Sequence, residues 1–159
     1  MIIRDAIPDD ADEACAVLRA SIAQLCNADH HDDPDILSRW LANKTPENVV
    51  AWADTDGRSL LVAIEDGAIV AVGGVRDSGE ITMNYVAPQA RFSGVSSALL
   101  AALEGRAVER GARRVTLLST ETARRFYLAR GYVDDGPVVG KFGTAASYPM
   151  FKVLAAARR

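Results

Sequence analysis

The chain is poor in every feature that would place it outside a folded globular domain. It holds only two cysteines in 159 residues, Cys15 and Cys26. They share one helix-like segment, which would set them about 16 Å apart along a continuous helix axis. A disulfide requires Cα atoms within about 7 Å, so two free thiols are expected, as suits a reducing compartment. No apolar run approaches the ~20 residues of a membrane-spanning helix. The N-terminus, Met1-Ile2-Ile3-Arg4-Asp5, turns acidic at once and lacks the apolar stretch of an export signal, so a cytoplasmic location is expected. Lysine is scarce: of 18 basic residues only Lys44, Lys141 and Lys152 are Lys. The net charge is −3, which leaves no global basic footprint for nucleic acid. Gly-x-x-x-x-Gly-Lys-Ser/Thr, Gly-x-Gly-x-x-Gly and Gly-x-Ser-x-Gly are all missing, which removes the familiar nucleotide loops and the hydrolase nucleophile elbow.

What is present is an ordinary globular composition, 49% hydrophobic and 25% charged, in a length that fits one domain. Ile2 to Ala6 reads as a strand, and Pro8-Asp9-Asp10 opens a helix with an acidic first turn. Ala14, Val17, Leu18, Ile22 and Leu25 supply its apolar face. The polar stretch Asn27 to Pro34 reads as an inter-helix loop, with Asp32 or Asp33 capping the helix of Ile36, Leu37, Trp40 and Leu41. Thr45-Pro46 starts a short helix through Val50 and Trp52. Trp40 and Trp52 are expected as helix-core anchors.

From Ser59 the pattern becomes strand-like. Leu60 to Glu65 and Ala68 to Val75 flank the hairpin signal Asp66-Gly67, and Ile81 to Val86 alternates apolar and polar residues. A long helix runs from Gly94 to about Arg110, with Val95, Ala98, Leu99, Ala102 and Leu103 on one face. Val115 to Leu118 is a strand, Thr120 or Glu121 to Arg130 a helix, and Val133, Val138, Val139 and Tyr148 to Leu154 strand again, before an exposed tail Ala155 to Arg159. The order β-α-α-β-β-β-α-β-α-β-β describes an α/β (α+β) domain with a mixed, mostly antiparallel sheet.

Two stretches carry chemistry. In Tyr85-Val86-Ala87-Pro88-Gln89-Ala90-Arg91-Phe92-Ser93-Gly94-Val95-Ser96 a strand ends and a long helix begins. Backbone N–H groups at a helix start lack partners and sit at the positive dipole end, which makes an anion site. Gly94 admits an anion close to the backbone, and Arg91 adds a fixed positive charge. Strand-to-helix connections also carry Ser and Gly simply as caps, so this loop alone leaves both readings open. In Ser119-Thr120-Glu121-Thr122-Ala123-Arg124-Arg125-Phe126-Tyr127 through Gly131-Tyr132, Ala123 and Tyr127 share a helix face. Taken alone, Phe126-Tyr127 also reads as core packing.

Together the two stretches resemble the GNAT superfamily of acyl-CoA-dependent N-acetyltransferases. Its pyrophosphate motif, Gln/Arg-x-x-Gly-x-Gly/Ala after Tyr/Val-x-Pro, is matched by Arg91 to Ser96 after Tyr85 to Pro88, with Ser96 in the last place. Its second motif, Asn-x-x-Ala-x-x-(apolar)-Tyr-x-x-x-Gly-Phe, is matched by Thr120, Ala123, Phe126, Tyr127, Gly131 and Tyr132, with Thr120 in the Asn place.

The resemblance implies an acetyltransferase-like fold with helices on both sheet faces, filling residues 1–159. It implies acetyl-CoA as donor, no metal, and direct attack by a primary amine of a small molecule or peptide. Tyr85, Val86 and Ala87 would pair with the pantetheine arm. Arg91, Phe92, Ser93, Gly94, Val95 and Ser96 would hold the pyrophosphate, with Ser119, Thr120, Arg124 and Tyr127 completing the cofactor site. Tyr127 would be the general acid, and a backbone N–H near Val86 the oxyanion donor. Glu80 is the candidate base, through water, against the alternative of a solvated strand-end carboxylate; Asn84 would orient the acceptor or bond a neighbouring strand. The arginines 110, 113, 114, 124, 125 and 130 would solvate helix faces or meet the CoA 3′-phosphate.

Asp29, Asp32, Asp33 and Asp35 would form an acidic wall that attracts a cationic amine. Selectivity is expected from loops 27–35 and 134–147. The cluster Cys26, His30, His31, Asp32 and Asp33 lacks a second set of ligands elsewhere and reads as polar loop, not as a metal site. No nucleic acid or membrane partner is expected, and a homodimer is left open. The alternative is a non-catalytic acyl-CoA-binding or regulatory domain of the same fold.

Overall fold

The structure, a computed structural model, describes residues 1–141 and 144–154; the expected tail lies outside them, as do residues 142 and 143 of the expected selectivity loop. Strands β1 (Ile2–Asp5), β2 (Arg58–Glu65), β3 (Ala68–Arg76) and β4 (Ile81–Val86) form an antiparallel sheet in the order β1-β2-β3-β4. Strands β5 (Arg114–Ser119), β6 (Val133–Asp134), β7 (Val139–Lys141) and β8 (Thr144–Val153) form a second one, with β8 paired to the other three. Helices α1 (Ala11–Leu25), α2 (Asn27–His30), α3 (Pro34–Leu41) and α4 (Pro46–Ala53) precede β2; α5 (Val95–Glu109) joins β4 to β5, and α6 (Arg124–Leu128) follows β5. The mixed, mostly antiparallel architecture is the one the element order predicts.

Local chemistry explains the boundaries. Pro8 to Asp10 makes a 3-10 turn rather than the first turn of α1, and the Asp10 carboxylate closes it by accepting from the Ile7 N–H at 2.8 Å. Asp33 caps α3 through the N–H groups of Asp35 and Ile36, and Thr45 caps α4 through that of Asn48. Ala14, Leu18 and Ile22 bring α1 to full burial, while Leu99, Leu103 and Ala107 do so for α5. Each large apolar side chain buried this way contributes about 1.5–3 kcal/mol. Both long helices pack on β3, from opposite faces of its sheet; a Cβ at Gly73 would lie 2.8 Å from Leu103 Cδ1.

Two expectations are corrected. Asn27 to His30 is a turn of helix, not open loop, because Asp29 and His30 are buried and fully engaged. His30 Nδ1 accepts from the Asp32 N–H, which leaves Nε2 as the donor to the Ile22 carbonyl at 2.9 Å. The expected helix from Thr120 or Glu121 to Arg130 shrinks to five residues, because side chains take the amides of the turn before it. Four helical segments therefore precede β2, where the element order allowed two.

The two sheets meet at one place. Glu80 and Thr116 form a single parallel bridge, and the Thr116 N–H donates to the Gly79 carbonyl at 3.0 Å. Gly79 has φ 97°, and a Cβ there would lie 2.2 Å from the Arg114 carbonyl oxygen, so only glycine permits this approach. Beyond the junction β4 and β5 diverge, and a gap opens toward Val86 and Leu118.

Candidate active site

The gap holds a cavity of about 760 Å³. Asn84, Tyr85 and Val86 line it from β4, Leu117 and Leu118 from β5, and Phe126, Tyr127 and Arg130 from α6 and the turn after it. Leu118 is 49% exposed because β5 alternates: Val115, Leu117 and Ser119 are buried, while Arg114, Thr116 and Leu118 share the open face.

Backbone polarity follows from the pairing of β4. The Ala87 N–H donates to the Val70 carbonyl in β3 at 2.8 Å. Successive N–H groups of a strand point to opposite sides, so the Val86 N–H faces the gap. At the wide end the chain enters α5 through left-handed backbone at Phe92 (φ 64°) and Gly94 (φ 85°). Turns that alternate hand in this way gather N–H groups into an anion-binding concavity. Among the described residues no side chain caps α5, so its first N–H groups remain available to a ligand, and a Cβ at Gly94 would meet nothing within 4 Å. Phe92 is 90% exposed with the Arg91 guanidinium 4.5 Å above its ring, and the Ser93 hydroxyl bonds the Ala90 carbonyl.

The Tyr127 phenol sits at the heart of the gap. Its ring packs edge-on against Phe126 and Tyr132, with centroids 5.3 and 5.4 Å away. The Asn84 side-chain amide donates to its hydroxyl oxygen at 3.3 Å. Burial pushes the phenol up to about 12, against a smaller downward pull from the Asn84 hydrogen bond. The group therefore stays protonated at neutral pH and keeps a proton to give. On the α1 side the Tyr85 hydroxyl is hydrogen-bonded to Trp40, and burial raises it well above the usual phenol range. Burial likewise pushes the cavity-lining Cys26 thiol up to about 12, which keeps it protonated and unreactive.

Residues 33–153 match the family model described as acetyltransferase (GNAT) domain. The chain belongs to the GNAT acetyltransferase family and is an N-acetyltransferase. A solved structure described as the GCN5-related N-acetyltransferase "aminotransferase, class-II" from Rhodopseudomonas palustris is similar to it at 29% identity and TM-score 0.85, over 96% of this chain and 95% of that one. The ribosomal-protein-alanine N-acetyltransferase from Brucella melitensis is similar at 26% identity and TM-score 0.73, over 97% and 100%. The PaiA N-acetyltransferase from Thermoplasma acidophilum, solved in complex with coenzyme A, shares the fold at 15% identity and TM-score 0.83, over 96% and 98%. No curated protein matches the chain by sequence.

In this acetyltransferase most of the expected site residues converge on the cavity: Asn84, Tyr85, Val86, Arg91, Phe92, Gly94, Ser96, Thr120 and Tyr127 all line it. Ala87 and Val95 are buried immediately behind the lining. Thr120, in the motif's Asn place, uses its hydroxyl to accept from the Ala123 N–H at 3.1 Å, a cap for the turn before α6.

Ser93 is absent from the lining, its hydroxyl spent on the Ala90 carbonyl, and three further expected residues are elsewhere. Glu80 sits at the closed end of the gap, half-exposed and ion-paired with Arg76 at 2.9 Å. Arg124 turns away to Asp134 at 2.7 Å and stacks on Tyr148. Ser119 is buried and donates to the Thr120 carbonyl. The positive lining comes instead from Arg91, Arg125 and Arg130. Arg130 spans Ser97 on α5 and the Phe126 carbonyl on α6, and its guanidinium lies 3.7 Å over the Phe126 ring. The sequence offers Arg125 and Arg130 only as two of six arginines expected to solvate helix faces or meet the CoA 3′-phosphate.

The acidic wall also dissolves. Asp32, Asp33 and Asp35 do not line the cavity, and Asp33 is spent on capping α3. Among the described lining residues the only carboxylate is Asp29, which is buried and holds three donors. Among the described residues no group of three or more His, Cys, Asp or Glu side chains gathers as metal ligands, and no helix is long and apolar enough to cross a membrane.

Proposed function

We propose that the enzyme transfers an acetyl group from acetyl-CoA to a primary amine of a small molecule or peptide, by direct attack and with Tyr127 as general acid. The observation that carries this reading is the buried, protonated phenol of Tyr127 in the gap between β4 and β5, bonded to Asn84 and in the same cavity as the uncapped start of α5. The pyrophosphate would lie on the N–H groups from Phe92 to Ser96, with Arg91 beside it. The pantetheine arm would run along Tyr85, Val86 and Ala87, where one edge of β4 is free. The thioester oxygen would meet the gap-facing Val86 N–H, which stabilises the negative charge that develops on it. As the tetrahedral intermediate collapses, the C–S bond breaks and the Tyr127 phenol gives its proton to the departing CoA sulfur; the attacking nitrogen sheds its extra proton to solvent, and the phenolate takes one back from solvent.

The amine must arrive neutral. With Asp29 engaged and Glu80 outside the cavity, no free carboxylate among the described lining residues takes its proton. The enzyme would therefore draw on the neutral fraction of the amine in solution, which for an amine of pKa near 10 is small at pH 7. A thiol-release assay with acetyl-CoA and a panel of amines tests the reading. Amine-dependent CoA release supports it, and CoA binding without release for any amine favours a regulatory acyl-CoA-binding domain.

A further inference from the structure

We propose that Asp29 is a positioning residue for Tyr127, acting from the acceptor-side wall; this rests on the general-acid reading above. Asp29 lies on α2 and is only 3% exposed. One carboxylate oxygen accepts from the Glu121 N–H at 2.6 Å; the other accepts from the Thr122 N–H at 3.2 Å and the Thr122 hydroxyl at 2.6 Å. These are the amides of the turn that leads into α6. With the Ala123 N–H taken by Thr120, the carboxylate closes off the start of that short element from 92 residues away in the chain.

The Ala123 carbonyl then accepts from the Tyr127 N–H at 3.2 Å, so the turn held by Asp29 seats the residue that carries the phenol. A five-residue helix has too few internal hydrogen bonds to hold its own direction, and an outside carboxylate supplies what it lacks. The neighbouring His30 anchors the other end of the strut, since its buried ring bonds the Ile22 carbonyl near the end of α1. The same one-turn helix thus connects the wall formed by Ser21, Leu25, Cys26 and Trp40 to the acid. Its neighbours make the carboxylate costly to lose: a buried N–H left without a partner is strongly penalised.

A double-mutant cycle on turnover tests the inference. Asp29→Asn keeps the shape but points an amide at N–H donors, and Thr122→Val removes only the hydroxyl contact while leaving the carboxylate. Each is expected to lower kcat, Asp29→Asn by about tenfold, and to leave KM for acetyl-CoA within about twofold. In an Asp29→Asn/Tyr127→Phe double variant the two losses are expected not to multiply, because a misplaced phenol and an absent phenol cost the same step. Multiplying losses, or a loss confined to KM or thermal stability, would overturn the role of Asp29 while leaving Tyr127 as acid. An unchanged kcat in Tyr127→Phe alone would overturn both. If Asp29→Asn fails to fold, the same cycle run with Thr122→Val decides between these outcomes.

Discussion

The Asn84 amide and the Tyr127 phenol meet across the gap at 3.3 Å, and this contact ties β4 of the first sheet to α6. Asn84 donates, so it stabilises the phenolate more than the phenol and works against the burial that raises the proton affinity of Tyr127.

Tyr127→Phe is expected to keep acetyl-CoA affinity and to lower turnover more than tenfold, within the ~10²–10⁴-fold range of general acid catalysis. Isothermal titration with CoA and steady-state kinetics check the two halves separately. Unchanged turnover would remove the acid role.

The pH profile of kcat/KM carries a sign. On the proposed reading the acceptor loses its proton with no free carboxylate among the described lining residues, so the rate should rise about tenfold per pH unit below the amine's own pKa. The phenol, pushed up to about 12, is protonated throughout, so no falling limb is expected up to pH 10. A profile whose rising limb stayed near pH 6 for amines of different pKa would reveal a protein base instead.

Asn84→Ala removes the donor to the phenol and is expected to raise its proton affinity further. Turnover should fall by about threefold to tenfold, on the scale of one net hydrogen bond of about 1 kcal/mol. Ultraviolet titration of the phenol against wild type, together with kcat, measures both effects.

Gly94→Glu places a carboxylate beside the first N–H groups of α5, at a residue with φ 85°. Repulsion of the pyrophosphate is expected to weaken CoA binding more than tenfold. Titration calorimetry with CoA reads this directly, and normal affinity would place the pyrophosphate elsewhere.

Two variants test the frame. Gly79→Ala forces a Cβ to 2.2 Å from the Arg114 carbonyl and is expected to cost about 2 kcal/mol or more in denaturant unfolding, since the junction of β4 and β5 must shift. Asp10 is held below the usual carboxylate range, chiefly by its hydrogen bonds to the Arg4 guanidinium. A lowered folded-state value gives stability that is present above about pH 4 and lost as pH falls through that lower value. Asp10→Asn should therefore flatten the decline of the urea midpoint between pH 4 and 2; equal declines would deny the linkage.

Much of the fold was legible because it is written locally. Thr45-Pro46 and Asp33-Pro34 cap helices within a few residues of themselves, and the alternation of Ile81, Met83 and Tyr85 marks a strand with one buried side. The motifs at Arg91 to Ser96 and Ala123 to Tyr132 were readable for the same reason, since a helix start and a helix face are short-range patterns. Alternation puts Glu80 on the same face as Asn84 but says nothing of where β5 departs, and only the fold sets it at the junction with Thr116. Arg124 and Arg125 are adjacent in sequence and equal in chemistry; only the presence of Asp134 and Tyr148 on one side turns the first away from the cavity.

The sequence by itself determined the element types, the anion-ready start of α5 and the pairing of a tyrosine with the motif around it, because these depend on neighbours within about four residues. Only the tertiary structure decided what Asp29 does. As part of an acidic run it read as a solvated attraction for cations; in the fold its carboxylate is withdrawn from solvent and spent on backbone donors 92 residues away. A hydrogen bond of that span has no sequence period to announce it. It exists because α2 and the turn before α6 are brought together by packing that neither segment encodes alone.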